Sequence, residues 1–522
     1  MHVVHGEAVQ DSMALSTAGI DFIEESSTSP RFYDPDSSSS GDQVNSNDLF
    51  TTSDYSSGML SAPCADYFSF GPDWDIGTLD FSFIQAQFEL GDANTTPGDV
   101  SDSCQDTLIP LVSGSKNVAL SDIWEPKNHE HNEMERQNLA IFEKSQFSKE
   151  VGAAISAPPN SSRILDYFGF DFSRAKATPA ESLIYNNDAE DLGDKTVLPL
   201  SDYKSKYGSA WHFFHRVDLH DELRKLATEP TPSRKGFARL HLATPVSSVD
   251  LDGTVHFPDG TTVKKDLVVA ADGVRSSFIS TVLGEEIPSQ HFMTMTRLLL
   301  PTEHMTHDAD TNAFFKGGSN SIRVLRVDDG SLVTYGCRNG ALQNIAFMYP
   351  AEHLKDATVN NGSKTDAHSG GFLKKYPAFI QSLASKASGI GEWKLLTRKP
   401  LDRFARGRLA IIGDAAHPMP PLRAQGASMA IEDAAALGVL MSRLTTLEDI
   451  PTRLEMFNDL RVKRAATVQL MSSQHKWDPK KVPEEYVHYF GEDIPQNDVD
   501  LERCSCDHNV MKEAFKMLQK ED

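Results

Sequence analysis

Residues 408–433 constrain the fold more than any other part of this chain. They read RLAIIGDAAHPMPPLRAQGASMAIED and begin with a short apolar run, residues 409–412, which ends in Gly413-Asp414. A proline-rich turn follows and leads to Gln425-Gly426-Ala427, where an alanine-rich helical pattern opens. The order strand, acidic turn, glycine and helix predicts a site for a large polar ligand, because the free N–H groups and the dipole of a helix N-terminus favour negative charge.

Two residues of this segment have a specific chemical use. The Asp414 carboxylate can accept hydrogen bonds from sugar hydroxyls. Gly426 has no side chain and lets a planar ring approach the backbone closely. Together they indicate a cofactor that carries both a sugar-like chain and an aromatic ring.

Two further motifs precede this segment. Residues 266–276 read DLVVAADGVRS and contain Asp272, Gly273 and Arg275, and residues 215–219 read HRVDL and contain Arg216. With residues 408–433, they resemble the motifs of the FAD-dependent aromatic hydroxylases, the single-component monooxygenases similar to salicylate hydroxylase. The motifs occur in the family order, and the resemblance spans residues 139–475.

The resemblance implies the cofactors FAD and NAD(P)H and the transfer of one oxygen atom of O2 to an aromatic ring. The protein would then supply positioning and electrostatics, while the cofactor supplies the chemistry. The implied cofactor-binding residues are Glu143, Arg216, Asp272, Gly273, Arg275, Gly413, Asp414, Gln425, Gly426 and Ala427. Pro418 and Arg216 are the implied catalytic residues, and no metal site is implied.

The resemblance also implies a role for each of the main residues. Asp414 would bind the ribityl chain, and Pro418 would form a water-poor wall beside the reactive carbon of the flavin. Arg216 would lie near the flavin or its phosphates. Asp272 would reach the phosphates through water or Arg275.

The predicted fold class is α/β. Residues 138–285 and 396–475 would form a Rossmann-like FAD-binding part with a parallel sheet, in which residues 139–144 are a buried strand that ends in the ribose-binding acid Glu143. Period-two patterns with Asp-Gly and Asn-Gly turns predict hairpins at 245–270 and 321–337. A mixed-sheet substrate domain is expected at 286–395, C-terminal helices after residue 433, and a polar tail at 476–522.

One expected element is missing from the sequence. The family's FAD domain opens with a strand, a G-x-G-x-x-G turn and a helix, which hold the pyrophosphate. The corresponding window, residues 109–138, contains a single glycine, Gly114. No G-x-G-x-x-G fingerprint occurs in residues 1–137. Three explanations stay open: an unrelated N-terminus joined to an enzyme body, an inactive relative, or a substitute strand at residues 109–112.

The N-terminal segment differs in composition from the rest. Residues 1–120 hold about 19 acidic and about 2 basic side chains, most of the net charge of −24. They lack periodicity, which predicts disorder; an acidic-aromatic interaction segment of the type found in transcription activators, or a segment foreign to the enzyme, are the alternatives.

Composition also narrows the functional classes. No basic stripe is present, so nucleic-acid binding is not expected. Five scattered cysteines do not form a disulfide framework, and no apolar run reaches membrane-spanning length. The first residues lack the features of a signal peptide, and a cytoplasmic protein is expected.

The leading prediction is an FAD-dependent monooxygenase that uses NAD(P)H and O2 to hydroxylate or oxidise an aromatic or polyketide-derived small molecule, as in fungal secondary metabolism. The alternative is an inactive relative without tight FAD, which acts as a binding or regulatory protein through its acidic N-terminus.

Overall fold

The computed structural model describes residues 139–146, 153–186, 193–230, 237–307, 309–315, 318, 320–327, 330–351, 377–386, 391–442, 444–491 and 493–521. The predictions for residues 1–120 and for the window 109–138 lie outside the described residues.

The strands, in chain order, are β1 (Ala140–Phe142), β2 (Ala154–Ala157), β3 (Thr178–Pro179), β4 (Ser182–Asn186), β5 (Lys195–Pro199), β6 (His212–His215), β7 (Arg239–His241), β8 (Ser248–Val249), β9 (Thr254–His256), β10 (Thr262–Lys264), β11 (Val268–Ala270), β12 (Gln290–Pro301), β13 (Ile322–Val327), β14 (Gly330–Cys337), β15 (Leu342–Pro350), β16 (Gly391–Thr397), β17 (Ala405–Arg406) and β18 (Leu409–Ile411).

The helices are α1 (Pro159–Tyr167), α2 (Tyr203–Tyr207), α3 (Arg216–Thr228), α4 (Ile279–Leu283), α5 (Glu303–Thr306), α6 (Ala309–Phe315), α7 (Ala378–Ser385), α8 (Gly426–Met441), α9 (Ile450–Ser472), α10 (Asp498–Cys506) and α11 (Val510–Glu521). A 3₁₀ turn, Gly413–Ala415, directly follows β18.

The parallel strands of the expected FAD-binding part lie in two small sheets. β1 pairs in parallel with β7, and β11 pairs in parallel with β18, which also pairs with β17. Within the described residues, β1 and β11 are therefore each paired along one edge only.

The strand at β1 is less buried than predicted. Its three residues are only half-buried, and Leu139 is 48% exposed. On β11, Val269 is 41% exposed. Strands of a parallel sheet are normally covered on both faces, and the described part of the chain covers Leu139 and Val269 only partly.

The largest sheet has seven strands in the order β16-β12-β15-β14-β13-β4-β5. All its pairs are antiparallel except β13 with β4. Strands β4 and β5 precede the expected substrate domain 286–395. Their pairing partners lie far along the chain, so the local sequence does not show that they belong to this sheet. The domain limits stay a prediction.

The hairpins follow the turn signals. β8, β9 and β10 form an antiparallel ribbon around the Asp252-Gly253 and Asp259-Gly260 turns. Gly253 has a φ of +89°, and a Cβ there would lie 2.1 Å from the Lys265 carbonyl oxygen, so only glycine fits. The last part of the predicted hairpin region, residues 262–270, forms two strands, because β10 pairs in the ribbon and β11 pairs in the parallel sheet.

The C-terminal residues form part of the core rather than a polar tail. α11 packs on α8 and α9, and its apolar residues recur at helical spacing: Val510, Met511, Ala514 and Leu518 are at most 5% exposed. Cys506, at the end of α10, is also buried. The segment was predicted to be a polar tail because polar residues stand between these apolar ones in the sequence. In the helix, those polar residues lie on the face towards solvent.

His508 connects α10 to α11 and gives the fold a pH-dependent element. Its Nε2 lies 3.9 Å from Glu432 Oε2 on α8, and its carbonyl accepts a 2.8 Å hydrogen bond from Arg163 on α1. Burial lowers the pKa of His508 to about 3, reinforced by Arg464. The folded protein therefore holds this imidazole neutral over a range in which the unfolded chain protonates it.

We expect acid to destabilise the protein partly through His508. The pKa of His508 in the folded protein lies below the ordinary value of about 6.5. Its contribution to the unfolding free energy is therefore complete above that pH and is lost as the pH falls towards 3. His508→Gln should flatten the dependence of the unfolding free energy on pH between about pH 7 and about pH 4, measured by urea denaturation. His304→Gln, at an exposed histidine, is the control; equal pH dependence in both variants would contradict this assignment.

Candidate active site

The site is built where two adjacent parallel strands end. Ala270 of β11 lies opposite Ile411 of β18, and the Ile412 N–H donates a 3.0 Å hydrogen bond to the Ala270 carbonyl. Both strands run into a turn with an acidic residue, Asp272 in one and Asp414 in the other. Two turns that are far apart in sequence therefore lie side by side at one edge of the sheet.

The Gly413-Asp414 turn has a demanding backbone geometry. Gly413 has a φ of +60°, and a Cβ there would lie 3.2 Å from the Ala430 Cβ of α8. The Gly413 N–H donates a 2.9 Å hydrogen bond to Asp433 Oδ2. Asp414 follows in the 3₁₀ turn and is half-buried. The glycine is needed for both the left-handed backbone and the close approach to the helix.

A fully buried carboxylate holds this turn from behind. Asp433 is 0% exposed; Oδ2 also contacts His417 Nε2 at 2.6 Å, and Oδ1 accepts a 2.8 Å hydrogen bond from Arg461 Nε. Burial acts to raise the pKa of Asp433, but His417 and Arg461 hold it below the ordinary value. His417 therefore has a buried carboxylate partner. Pro418, next to it, is buried, as a wall residue would be.

The start of α8 lies beyond the proline-rich turn. Gln425 is 1% exposed; its Oε1 accepts a 3.0 Å hydrogen bond from Asn160 Nδ2, while its Nε2 has no partner. A Cβ on Gly426 would meet nothing nearer than Met419 Cγ at 3.9 Å. No described side chain caps the helix, and Ala427 is half-buried. Protein packing does not require glycine at 426, so the space beside it is available to a ligand.

The second turn presents Asp272. Oδ2 accepts a 3.2 Å hydrogen bond from the Ser277 N–H, and Oδ1 is buried without a partner. Burial raises the pKa of Asp272, against hydrogen bonds from Ser276 and the backbone. Gly273 has a φ of +85°, and Arg275 is exposed. Among the described residues, Asp272 Oδ1 therefore has no hydrogen-bond partner and is available to a ligand.

The third motif lies at the junction of β6 and α3. Arg216 is the first residue of α3, and its N–H donates a 2.6 Å hydrogen bond to the Ala153 carbonyl. Asp218 forms a two-point ion pair with Arg338, at 2.7 and 2.9 Å, so it serves the fold. Burial lowers the pKa of His215. No contact of Arg216 with the two acidic turns is seen, and its role stays a prediction.

Glu143 directly follows β1, at the position where the sequence predicts an acid. It is 3% exposed, and its Oε1 accepts a 2.7 Å hydrogen bond from the Ser145 N–H. Its backbone N–H donates a 2.9 Å hydrogen bond to the His241 carbonyl, which continues the ladder of β1 and β7. A ribose-binding role for Glu143 stays a prediction.

Sequence reasoning missed several buried charges. Glu432 pairs with Arg461 at 2.6 Å and with Arg464 at 3.1 Å, and all three side chains are at most 9% exposed. Acids inside an alanine-rich helix, with two arginines three residues apart on the next helix, are a signal that could have revealed them. Arg398, which bonds to both acidic turns, has no such local signal.

The flavin end of the site fits the implied cofactor. The open space at Gly426 and the unpartnered Asp272 Oδ1 and Gln425 Nε2 are features that a ring and polar groups of a ligand would satisfy. A glycine-rich turn for a pyrophosphate is not among the described residues. In the same part of the chain, no three His, Cys, Asp or Glu side chains are grouped to hold a metal ion, and no helix has the length and apolar character to cross a membrane.

Comparisons with known proteins agree with this geometry. A family model described as an FAD binding domain matches residues 243–471. The FAD-dependent monooxygenase cfoG of Aspergillus candidus is 31% identical over 400 residues, which cover 73% of this chain and 90% of that protein. Hispidin-3-hydroxylase of Neonothopanus nambi is 30% identical over 359 residues, covering 66% and 83%.

Solved structures share the fold. A salicylate hydroxylase in a substrate complex superposes with a TM-score of 0.54 at 22% identity, covering 70% of this chain and 90% of that one. The predicted resemblance, the α/β FAD-binding fold and FAD as the cofactor are confirmed. With its identity to cfoG extending over most of both proteins, this chain belongs to the family of FAD-dependent monooxygenases.

Proposed function

We propose that this protein uses NAD(P)H and O2 to hydroxylate or oxidise an aromatic or polyketide-derived small molecule in secondary metabolism. The enzyme class follows from the family, and the relatives' names support the substrate class, since they include hispidin-3-hydroxylase and 6-hydroxynicotinate 3-monooxygenase of Bordetella bronchiseptica. NAD(P)H is the typical reductant of the family.

One observation carries the proposal: the Gly413-Asp414 turn lies against α8, whose uncapped N-terminus begins at an unobstructed Gly426. Bound FAD would supply the reduction of O2 and the transfer of oxygen. The chain would contribute Asp414 to the ribityl hydroxyls and the α8 N–H groups and dipole to the negative charge of the reduced ring.

An apolar surface opposite the proline-rich turn suits an aromatic substrate. Met293 and Met295 of β12 pack with Ala346 and Met348 of β15, and Leu422 of the turn packs against them. Pro418 is buried in this turn, and its carbonyl accepts hydrogen bonds from Thr397 Oγ1 and Gln469 Nε2, which fix its position. Such a wall excludes water from the reacting atoms.

Three further expectations belong to this proposal. The alternative of a binding or regulatory protein is not favoured, because the relatives are enzymes. Free Cys337, Cys504 and Cys506 support a reducing compartment, consistent with a cytoplasmic location. The absence of nucleic-acid binding stays a prediction.

The two ends of the cofactor site differ in completeness. The flavin end is formed by the two acidic turns and α8, whereas the sequence before β1 contains no G-x-G-x-x-G and the parallel strands form two separate sheets. We infer that the chain binds FAD weakly, because its sequence contains no G-x-G-x-x-G turn that would supply backbone N–H groups to the pyrophosphate.

We expect a replacement of residues 109–138 by a strand, a G-x-G-x-x-G turn and a helix to increase FAD affinity by at least about tenfold. Equilibrium titration of flavin fluorescence measures the change. The matched control carries the same insert with its three glycines replaced by valine. A submicromolar dissociation constant for the unaltered chain would contradict the inference of weak binding.

We expect Asp414→Ala, made in the restored version, to lose most of its bound flavin while the fold survives. A charge-assisted hydrogen bond to a ribityl hydroxyl is worth about 1.5–3 kcal/mol, or about ten- to a hundredfold in affinity. Asp259→Ala, at an ordinary hairpin aspartate, is the control and should keep its flavin. Equal FAD occupancy of the two variants at limiting FAD, with equal melting temperatures, would remove Asp414 from the site.

A further inference from the structure

Two hydroxyl groups of β14 are buried without a hydrogen-bond partner among the described residues. They belong to Ser331, which is 3% exposed, and Thr334, which is 0% exposed. A hydroxyl that leaves water without gaining a hydrogen bond is uncommon in proteins, and each case needs a physical explanation. Because the two residues are three positions apart on one strand, their side chains point to opposite faces of the seven-stranded sheet.

The hydroxyl of Thr334 lies on the face that helices cover. Thr334 is opposite Ile345 of β15, which belongs to an apolar core together with Leu332 of β14. Residues of α5, α6 and α7 complete that core, among them Met305 and Phe314. Thr334 is therefore enclosed by protein on its side of the sheet, and its hydroxyl is a polar group within a packed core.

Ser331 lies on the other face, beside the apolar surface that suits an aromatic substrate. It is directly opposite Met348 of β15, which is opposite Met295 of β12. Directly opposite residues of antiparallel strands have their side chains on the same face, with Cβ atoms about 4.5–5.5 Å apart. Leu422 of the proline-rich turn packs against the cluster that contains these two methionines. Ser331 therefore adds a polar group to a row of methionines.

Ser331 also lies where a ligand can gain access to it. On its other side it is opposite Arg326 of β13, whose side chain is exposed, so the serine stands between the methionines and an exposed residue. Methionine side chains are flexible and are common at surfaces that adapt to a ligand, so the Met348 side chain can move to admit a ring. The serine hydroxyl can rotate about χ1 and can donate or accept a hydrogen bond.

We propose that Ser331 determines the specificity of this protein by forming a hydrogen bond with an oxygen substituent of the substrate ring, a phenolic hydroxyl or a ring carbonyl, while the methionines contact the ring. An apolar surface alone distinguishes poorly between similar rings, whereas a buried polar group discriminates strongly against a ring that leaves it without a partner. The inference rests on the proposed function for its ligand, and it adds which residue selects that ligand and by which chemical group.

The test compares Ser331→Ala, Ser331→Thr and Thr334→Val in the full chain. Thr334→Val is the matched control, because it removes the other unpartnered hydroxyl of the same strand from the opposite face. Two pairs of probes are titrated by calorimetry, with and without FAD: 3-hydroxybenzoate against benzoate, and 6-hydroxynicotinate against nicotinate. The hydroxylated members occur in the names of two relatives. The measured quantity is the affinity ratio within each pair, since a purely structural effect lowers both affinities and leaves their ratio unchanged.

We expect the unaltered protein to prefer the hydroxylated member of at least one pair, and Ser331→Ala to reduce that preference by about three- to tenfold, the loss of one hydrogen bond. Thr334→Val should keep the preference, and Ser331→Thr should keep it because threonine supplies the same hydroxyl. Neither hydroxyl has a partner to lose within the described part of the chain, so Ser331→Ala and Thr334→Val should both melt close to the temperature of the unaltered protein.

An unchanged preference in Ser331→Ala, or an equal change in Thr334→Val, would overturn the proposal. Failure of the unaltered protein to bind either hydroxylated probe would overturn it as well. If Ser331→Ala unfolds or melts far below Thr334→Val, the hydroxyl serves the fold and the proposal is wrong. The expected preferences without any FAD-dependent oxidation of NAD(P)H, even with the restored strand–turn–helix unit, would instead contradict the proposed function.

Discussion

The site depends on one buried carboxylate. Asp433 accepts the Gly413 N–H, contacts His417 and pairs with Arg461 of α9, so it fixes the acidic turn, the residue before Pro418 and the packing of two helices at the same time. A fully buried carboxylate stays charged only when it is paired in this way, because burying an unpaired charge costs roughly several kcal/mol. The geometry of the turn and the burial of the charge therefore support each other.

Other buried polar contacts hold α8 in place. Glu432, the neighbour of Asp433, pairs with Arg461 and Arg464, and Asn160 of α1 donates to both Glu432 and Gln425. The helix is thereby anchored along its buried side by polar contacts, while its N-terminus stays uncapped. Rigid support behind an open helix end is suited to binding, since the N–H groups are already aimed before a ligand arrives.

The contrast within the parallel sheet explains why the two halves of the cofactor site differ. β11 and β18 are joined by backbone hydrogen bonds, and Arg398 donates to a carbonyl in each of the turns that follow them, so the turns with Asp272 and Asp414 are held side by side. β1 pairs only with β7 among the described residues, and Glu143 lies at the end of that separate pair. A cofactor bound by both Glu143 and Asp414, as the resemblance predicts, would have to span both parts.

The sequence by itself determined the local elements whose cause is local. Short-range sterics and hydrophobic periodicity explain the glycine turns, the hairpins and the helix that begins at Gly426. The sequence also showed that an acid follows β1 and another follows β18. The motifs in order also identified the family. Only the tertiary structure decided that β4 and β5 join the large sheet, that α11 covers α8, and that Asp433 and Arg398 hold the site. Those contacts join residues far apart in sequence, and their energies depend on burial and distance, which no local pattern encodes.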